Sequence, residues 1–313
     1  MVSNMKNVIY FCPNVTAPTG GIKVIHRHSE LINKIGGNSA VYYHTGLKSN
    51  KIDWFVHNAS IKTDNVFNPD SDFVILPESM IFGFWKELRN LNIEYGVFIQ
   101  NGYLVRKGID EKELEECYAN AALLLCISED AVNCVFQFFP REMHKIVRVT
   151  YSVNSNIFKF GKKDKIITYM PRKMIEHSKL LIPALSNRLP QNWRIVAIEN
   201  MSEAQVAECL ACSQIFLAFS DFEGLPVPPV EAAFSGNFVI GYTGQGGREY
   251  WNRPIFTGIE NGDIAQFLDA ILNKVHGIED GNLNISDSHL TFLKELFSEE
   301  LEMKLLKKML LRL

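Results

Sequence analysis

The 313-residue sequence predicts an α/β protein of two domains, each a parallel sheet wound with helices on both faces. Three observations predict it. Short apolar runs rich in strand formers alternate with helical patterns of ten or more residues, and they do so in both halves. A polar and basic stretch, VNSNIFKFGKKDK, separates the halves between about 153 and 166. The length also suits two domains of about 150 residues each. We therefore expect an N-terminal domain over 1–155 and a C-terminal domain over 156–313.

In the first half, residues 7–12 (NVIYFC) read as a strand, followed by a Pro/Asn/Thr/Gly turn. A helix using Val24, Ile25, Leu31 and Ile32 runs from near Gly21 to the Gly36-Gly37 stop, and 39–43 make the next strand. Further strands fit at 73–77, 94–100, 123–127 and 145–150, with helices at 82–90 and 110–121. In the second half the strands are 166–169, 194–198, 215–219 and 238–241. Helices fit at 173–186, 202–212, 227–235 and 262–275, and 287–313 is also helical. Its Leu301, Leu305, Leu306, Met309, Leu310 and Leu313 lie near one face, opposite Lys304, Lys307, Lys308 and Arg312. That amphipathic end suits packing back on the first domain, or peripheral docking on an anionic membrane.

Composition removes several classes of function. Thirty-two Lys and Arg against 35 Asp and Glu leave a net charge of -3, so nothing suggests a nucleic-acid partner. No apolar run approaches the length that crosses a bilayer, and the start does not read as a secretory signal. The six cysteines mostly sit among apolar neighbours and fit a reducing cytoplasm. Cys209 and Cys212 lack a second pair at zinc-site spacing, so no metal site is expected there. His26 and His28, inside the first helix, read as structural. The basic run Lys159, Lys162, Lys163 and Lys165 reads as a solvated linker or as a contribution to phosphate attraction.

The densest chemical signal is DFEGLPVPPVEAAFSGNFVIGYTGQGGREYW, residues 221–251, directly after the strand 215–219. Glu223 lies on the loop, and Glu231 falls early in the helix that Pro228 or Pro229 can open. Carboxylates at the end of a sheet strand suit gripping sugar or ribose hydroxyls, while the nearby helix amides attract phosphate. Gly236 reads as the C-cap of that helix. After the next strand, Gly244, Gly246 and Gly247 allow close backbone approach, and Glu249 follows. Gly20 and Gly21 stand between the first strand and first helix, without the pattern of a Walker loop or a dinucleotide site. Arg172 and Lys173 follow the strand 166–169, where a guanidinium fork suits a phosphate. Gln100 and Asn101 end the strand 94–100, and Pro77-Glu78 ends the one before it.

This pattern resembles the retaining glycosyltransferases of the GT-B fold, above all their large fourth family and its rhamnosyltransferase-like relatives. The resemblance rests on the E-x7-E spacing in EGLPVPPVE, the small-residue helix AAFSG and the strand FVIG. It implies two Rossmann-like domains across a cleft, with the acceptor on the first and a nucleotide-diphosphate sugar on the second. It implies ribose binding by Glu231 and a donor-sugar role for Glu223, with Glu249 near the sugar. It places Gly20 and Gly21 against the diphosphate and gives Arg172 and Lys173 the leaving-group charge. In relatives a histidine from a late first-domain strand often helps hold the sugar. Here Gln100 stands at that strand end, and its amide can hydrogen-bond hydroxyls.

The implied reaction is sugar transfer to a glycan, lipid-linked or protein-linked acceptor, with retention, no metal and no tightly bound cofactor. First-domain loops such as 46–70 would select the acceptor. The alternative is a catalytically degenerate protein of this fold that binds a sugar nucleotide or acts as a partner subunit. A nucleotide-sugar epimerase or a phosphorylase of the same fold fits less well, because the epimerase lacks E-x7-E and no cofactor lysine can be placed.

Overall fold

The structure, a computed structural model, describes residues 6–313 apart from 16, 45–51, 53, 108–109 and 252–253. The first part of the acceptor loop expected at 46–70 thus lies largely outside the described residues. Two compact units emerge, one of Met1–Ser152 with Ser298–Leu313, the other of Val153–Phe297.

In the first unit the strands are β1 (Asn7–Phe11), β2 (Asn38–Tyr42), β3 (Ile61–Lys62), β4 (Asp72–Pro77), β5 (Glu94–Ile99), β6 (Leu123–Cys126) and β7 (Ile146–Arg148). They lie in the order β3-β2-β1-β4-β5-β6-β7, and each pairs in parallel with its neighbour. Parallel pairing forces a crossover between successive strands. Helices α1 (Gly20–Lys34), α2 (Ile81–Asn90), α3 (Glu111–Asn120) and α4 (Glu129–Phe138) supply most of them. The winding reverses between β1 and β4, so the carboxyl ends of those two strands flank the unit's topological switch point. Strands buried along their whole length, such as Phe73–Leu76 and Leu123–Cys126, show that both faces of the sheet are covered.

The second unit repeats the plan with β8 (Ile166–Tyr169), α5 (Ile175–Ser186), β9 (Arg194–Ala197), α6 (Glu203–Cys212), β10 (Ile215–Ala218), α7 (Val227–Phe234), β11 (Phe238–Gly241), α8 (Arg248–Trp251), β12 (Phe256–Gly258), α9 (Ile264–Glu279) and α10 (Thr291–Leu296). Its strands lie in the order β12-β11-β10-β8-β9, again all parallel. Here the switch point lies between β8 and β10.

The expected strands and helices are present within a few residues of their ends, and the structure adds several. Helix α4 begins at Ser128, whose hydroxyl accepts from the Ala131 amide at 3.0 Å, with Glu129 and Asp130 in its first turn. Its buried stripe is only Ala131 and Val135, too thin for periodicity to reveal it. Strands β3 and β12 are edge strands of two and three residues.

The helical stretch expected over 287–313 is broken. Helix α10 ends at Leu296, the carbonyl of the next residue, Phe297, accepts from Val153 N at 3.0 Å, and Ser298 caps a new helix, α11 (Glu299–Leu310). Helix α11 packs on α1 with Leu306 and Met309 fully buried, so this apolar face is occupied inside the first unit. Glu302 lies on the same face and is also buried. It accepts from Ser152 N at 2.8 Å, with Arg27 Nε at 4.0 Å and His28 Nε2 at 3.5 Å. Among the described residues no helix is long and apolar enough to cross a membrane.

His26 and His28 are buried, as expected of structural histidines. His28 donates to the Thr150 carbonyl and stacks on Phe98, while His26 bonds the Tyr43 hydroxyl. In the basic linker Lys159 and Lys162 are exposed, as a solvated stretch expects, while the reading of Lys163 and Lys165 needs correcting. Lys163 donates to the carbonyls of Leu210, Ser213 and Ser235, closing the ends of α6 and α7, and Lys165 bonds Glu279 at 2.8 Å. These lysines are neither idle in solvent nor free for a phosphate.

Candidate functional site

The second unit gathers its chemistry at the carboxyl ends of β8, β10 and β11. Helix α7 opens on Pro228 and Pro229, whose missing N–H groups cost nothing in a first turn. It closes in a Schellman turn: Gly236, at φ +79°, donates to Ala233 O, and Asn237 donates to Ala232 O. This fixes both ends of an eight-residue helix, and Glu231 sits one turn in, only 7% exposed. The Tyr250 hydroxyl of α8 donates to Pro226 O at 2.9 Å and ties the next loop to the helix start.

That loop is built on glycine because there is no room for more. A Cβ on Gly246 would run into the Gly224 carbonyl, and one on Gly247 into the Thr243 carbonyl, both backbone groups that cannot swing aside. Gly246 N also donates to Glu223 O at 3.1 Å. The sequence places Glu223 and Gly246 on separate loops. The structure stacks the two loops as one piece.

Lys173 and Glu223 form an ion pair, one from the segment after β8 and one from the loop after β10. These are the two strands that flank the switch point, where open α/β sheets bind ligands. Arg172 is exposed beside them and Glu249 is half-buried in α8. Arg172 and Lys173 precede α5 rather than forming its first turn. Met174, at φ +44°, turns the chain into the helix.

Backbone strain marks the same place. Among the described residues, positive φ without glycine occurs at Asn92, Met174, Asn200, Phe222 and Gln245. Asparagine adopts this region readily, whereas Met, Phe and Gln do so much less often. Those three lie in the loops after β8, β10 and β11. Phe222 is in addition 58% exposed, directly before Glu223. Such strain persists only where the surroundings over-determine it, and it clusters at functional sites. The Gln245 side chain donates to Asp221 at 2.9 Å, and His177, in the first turn of α5, bonds the Tyr242 hydroxyl at 3.0 Å. Asp221, Phe222, Tyr242 and Gln245 fall inside the 221–251 stretch that the sequence singles out, but no role was assigned to them individually, and His177 lies outside it.

The first unit holds a second group at its own switch point. Gly20 and Gly21 open α1 after β1. Gln100, after β5, donates from Nε2 to Gly21 O at 2.9 Å, and a Cβ on Gly21 would lie 2.5 Å from Gln100 Oε1. One N–H of the Gln100 amide is therefore engaged by the glycine turn, and the amide oxygen can accept from a hydroxyl. Asn101 accepts from Tyr103 N and caps the following turn. Among the described residues no cluster of His, Cys, Asp or Glu is arranged to hold a metal ion.

Parallel sheets of these two orders, each with polar groups at its switch point, give the GT-B fold. Solved structures share it along the whole chain. Sucrose-phosphate synthase from Thermosynechococcus elongatus is 11% identical with a TM-score of 0.71, over 97% of this chain and 97% of that one. Anabaena HepE in complex with UDP and glucose is also 11% identical, with a TM-score of 0.73 over 98% and 100%. The lipopolysaccharide outer core galactosyltransferase WaaB is 14% identical, with a TM-score of 0.66 over 96% and 98%. No family model matches the sequence, and no curated protein matches it either.

Proposed function

We propose that this chain is a glycosyltransferase that moves a sugar from a nucleotide-diphosphate donor to a glycan, lipid-linked or protein-linked acceptor, with retention and without a metal. The observation that carries the reading is the meeting of Lys173 and Glu223 at the switch point, beside α7 and the glycine loop. A sugar-holding carboxylate and a phosphate-holding cation are needed side by side where an anomeric C–O bond to phosphate is to break. In this assignment Glu231 holds the ribose, and Glu223, Glu249 and Gln100 orient the sugar. Arg172, Lys173 and the Gly20-Gly21 turn support the departing diphosphate. The acceptor hydroxyl attacks from the leaving-group face, the departing phosphate takes its proton, and the chain needs no dedicated base. The reading asks for no tightly bound cofactor.

HepE, which shares the fold, has been solved with UDP-glucose, so uridine donors are the first to try. The test is a thermal-shift and titration series with UDP, GDP, ADP, CMP and dTDP and their sugars, with and without magnesium. One diphosphate should raise the melting temperature in proportion to its occupancy, and Glu231→Ala or Arg172→Ala should abolish the shift. No shift at millimolar nucleotide would overturn the reading. Binding without transfer or donor hydrolysis would instead mark a catalytically degenerate protein.

A further inference from the structure

Glu78 lies at the carboxyl end of β4, beside the first unit's switch point, and is only 5% exposed. Its two carboxylate oxygens are divided between two successive amides of the neighbouring strand's end. Oε2 accepts from Gln100 N at 3.0 Å, and Oε1 accepts from Asn101 N at 3.1 Å. Its own amide donates to Phe98 O at 3.1 Å, so backbone and side chain together bracket the last residues of β5. Beyond the bracket, Gln100 reaches Gly21 O. Three chain segments, at 21, 78 and 100, thus close into one relay across β1, β4 and β5.

A buried carboxylate is an expensive tie, and it is the side chain that offers an acceptor oxygen to each of the two amides at once, which a neutral side-chain amide cannot. Burial, opposed by the amides of Gln100, Glu78 itself and Asn101, pushes the Glu78 carboxyl up to about 7. Burial first, and the Glu78 charge second, push the phenol of Tyr118 in α3 well above its ordinary value, so this neighbour stays protonated.

We propose that Glu78 is a positioning residue for the transfer reaction: its carboxylate grips the Gln100 and Asn101 amides so that Gln100 holds the Gly20-Gly21 turn and presents its amide oxygen to the donor sugar. The proposal rests on the glycosyltransferase reading for its consequence, but the grip itself can be tested without it. Ionised Glu78 satisfies both amides fully. Protonation weakens one of the two bonds and loosens the relay.

The experiment compares wild type with Glu78→Gln and Glu78→Asp. Amide nitrogen and proton shifts of Gln100, Asn101 and Gly21 are followed from pH 5 to 8.5. They should titrate together with a midpoint near 7 in the wild type and not in Glu78→Gln. With UDP-glucose, or whichever donor the nucleotide series selects, kcat should rise through the same midpoint. Glu78→Gln should lower kcat about tenfold or more at pH 8 and erase the inflection, leaving the Kd for the free nucleotide within about twofold. Glu78→Asp keeps the charge but not the reach, so it should keep the inflection at a reduced rate, and it carries the test should Glu78→Gln not fold. Amides that do not titrate, or a Glu78→Gln protein with wild-type kcat and pH profile, would overturn the proposal. A wild type that binds no nucleotide defeats the transferase reading alone, since the amide titration still decides whether Glu78 grips the loop.

Discussion

The two switch points are built in opposite ways. In the second unit the polar groups lie mostly within the thirty or so residues from Asp221 to Trp251, and backbone holds them in place: glycines with no room for a Cβ, and a helix closed at both ends. In the first unit the group is assembled from residues 21, 78 and 100, and side chains hold it: a carboxylate on two amides, an amide on a carbonyl. A backbone-held site tolerates almost no substitution at its glycines but reads as a motif. A side-chain-held site tolerates more and leaves no motif.

The largest effect should separate the two directly. Gly246→Ala drives a methyl into a backbone carbonyl, so the loop must move. We expect a loss of about 1–3 kcal/mol of stability or more, together with loss of the nucleotide-induced thermal shift. Gly21→Ala meets only the end of the flexible Gln100 side chain. It should melt within about 1 kcal/mol of wild type while losing transfer activity. Calorimetry and transfer assays on the pair check this, and equal melting losses would erase the distinction.

Next in size is Lys163→Met. Three carbonyls at the ends of α6 and α7 lose their shared donor, but the site is only part-buried and water can replace it, so the cost is on the order of 1–2 kcal/mol in all. Denaturant titration should show the destabilisation with an unchanged nucleotide Kd. A weakened Kd at unchanged stability would return Lys163 to the phosphate role considered from the sequence.

Lys173→Ala should do the reverse. Its ion pair with Glu223 is partly solvated, and such pairs contribute about 0–1 kcal/mol. Melting should hardly change. A charge-assisted phosphate contact is worth roughly 1.5–3 kcal/mol, so the Kd for a nucleoside diphosphate should weaken about tenfold or more. Binding of the monophosphate should change much less. Equal weakening of both would place Lys173 elsewhere on the nucleotide.

These contrasts also explain what could be read in advance. The parallel sheets were legible because apolar strands such as Leu123–Cys126 and Ile215–Ala218 are buried along their length and bounded by turns. The E-x7-E loop and the glycine loop were legible because each is local. The stacking of Gly246 on Gly224 was not, since it depends on β10 and β11 lying side by side. The role of Glu78 was hidden for the same reason, as β4 and β5 bring it to amides twenty-two and twenty-three residues away. Lys163 looked solvated because its three acceptors are carbonyls, which sequence does not reveal. The burial of Glu302 within the amphipathic last helix was hidden as well, because Ser152 and Arg27, which draw it inside, come from distant segments.

The smallest effect sharpens the comparison through pH. In the first unit burial pushes Glu78 and Glu302 up to about 7, and it pushes His26 and His28 down to about 4. A raised carboxyl holds its proton more tightly in the folded state, so its contribution is complete below about 4.5 and is lost as pH rises through 7. A lowered histidine contributes above 6.5 and loses that contribution as pH falls through 4. Between 4.5 and 6.5 the two carboxyls oppose His26 and His28, and stability stays nearly level, rising only slightly with pH through half-buried His57, which burial also lowers. From 6.5 to just above 7 only the carboxyls titrate, and stability falls. The second unit carries no such buried acid among its described residues with a resolved shift. Its Glu279 is held below the usual range by Lys165 and titrates below 4.5. Calorimetry between pH 4.5 and 8 should therefore show a plateau followed by a modest decline. Glu302→Gln should remove about half of that decline and tilt the plateau upward with pH, because one carboxyl then faces two histidines. A profile unchanged by Glu302→Gln would mean that Arg27 and Ser152 keep this carboxylate ionised throughout.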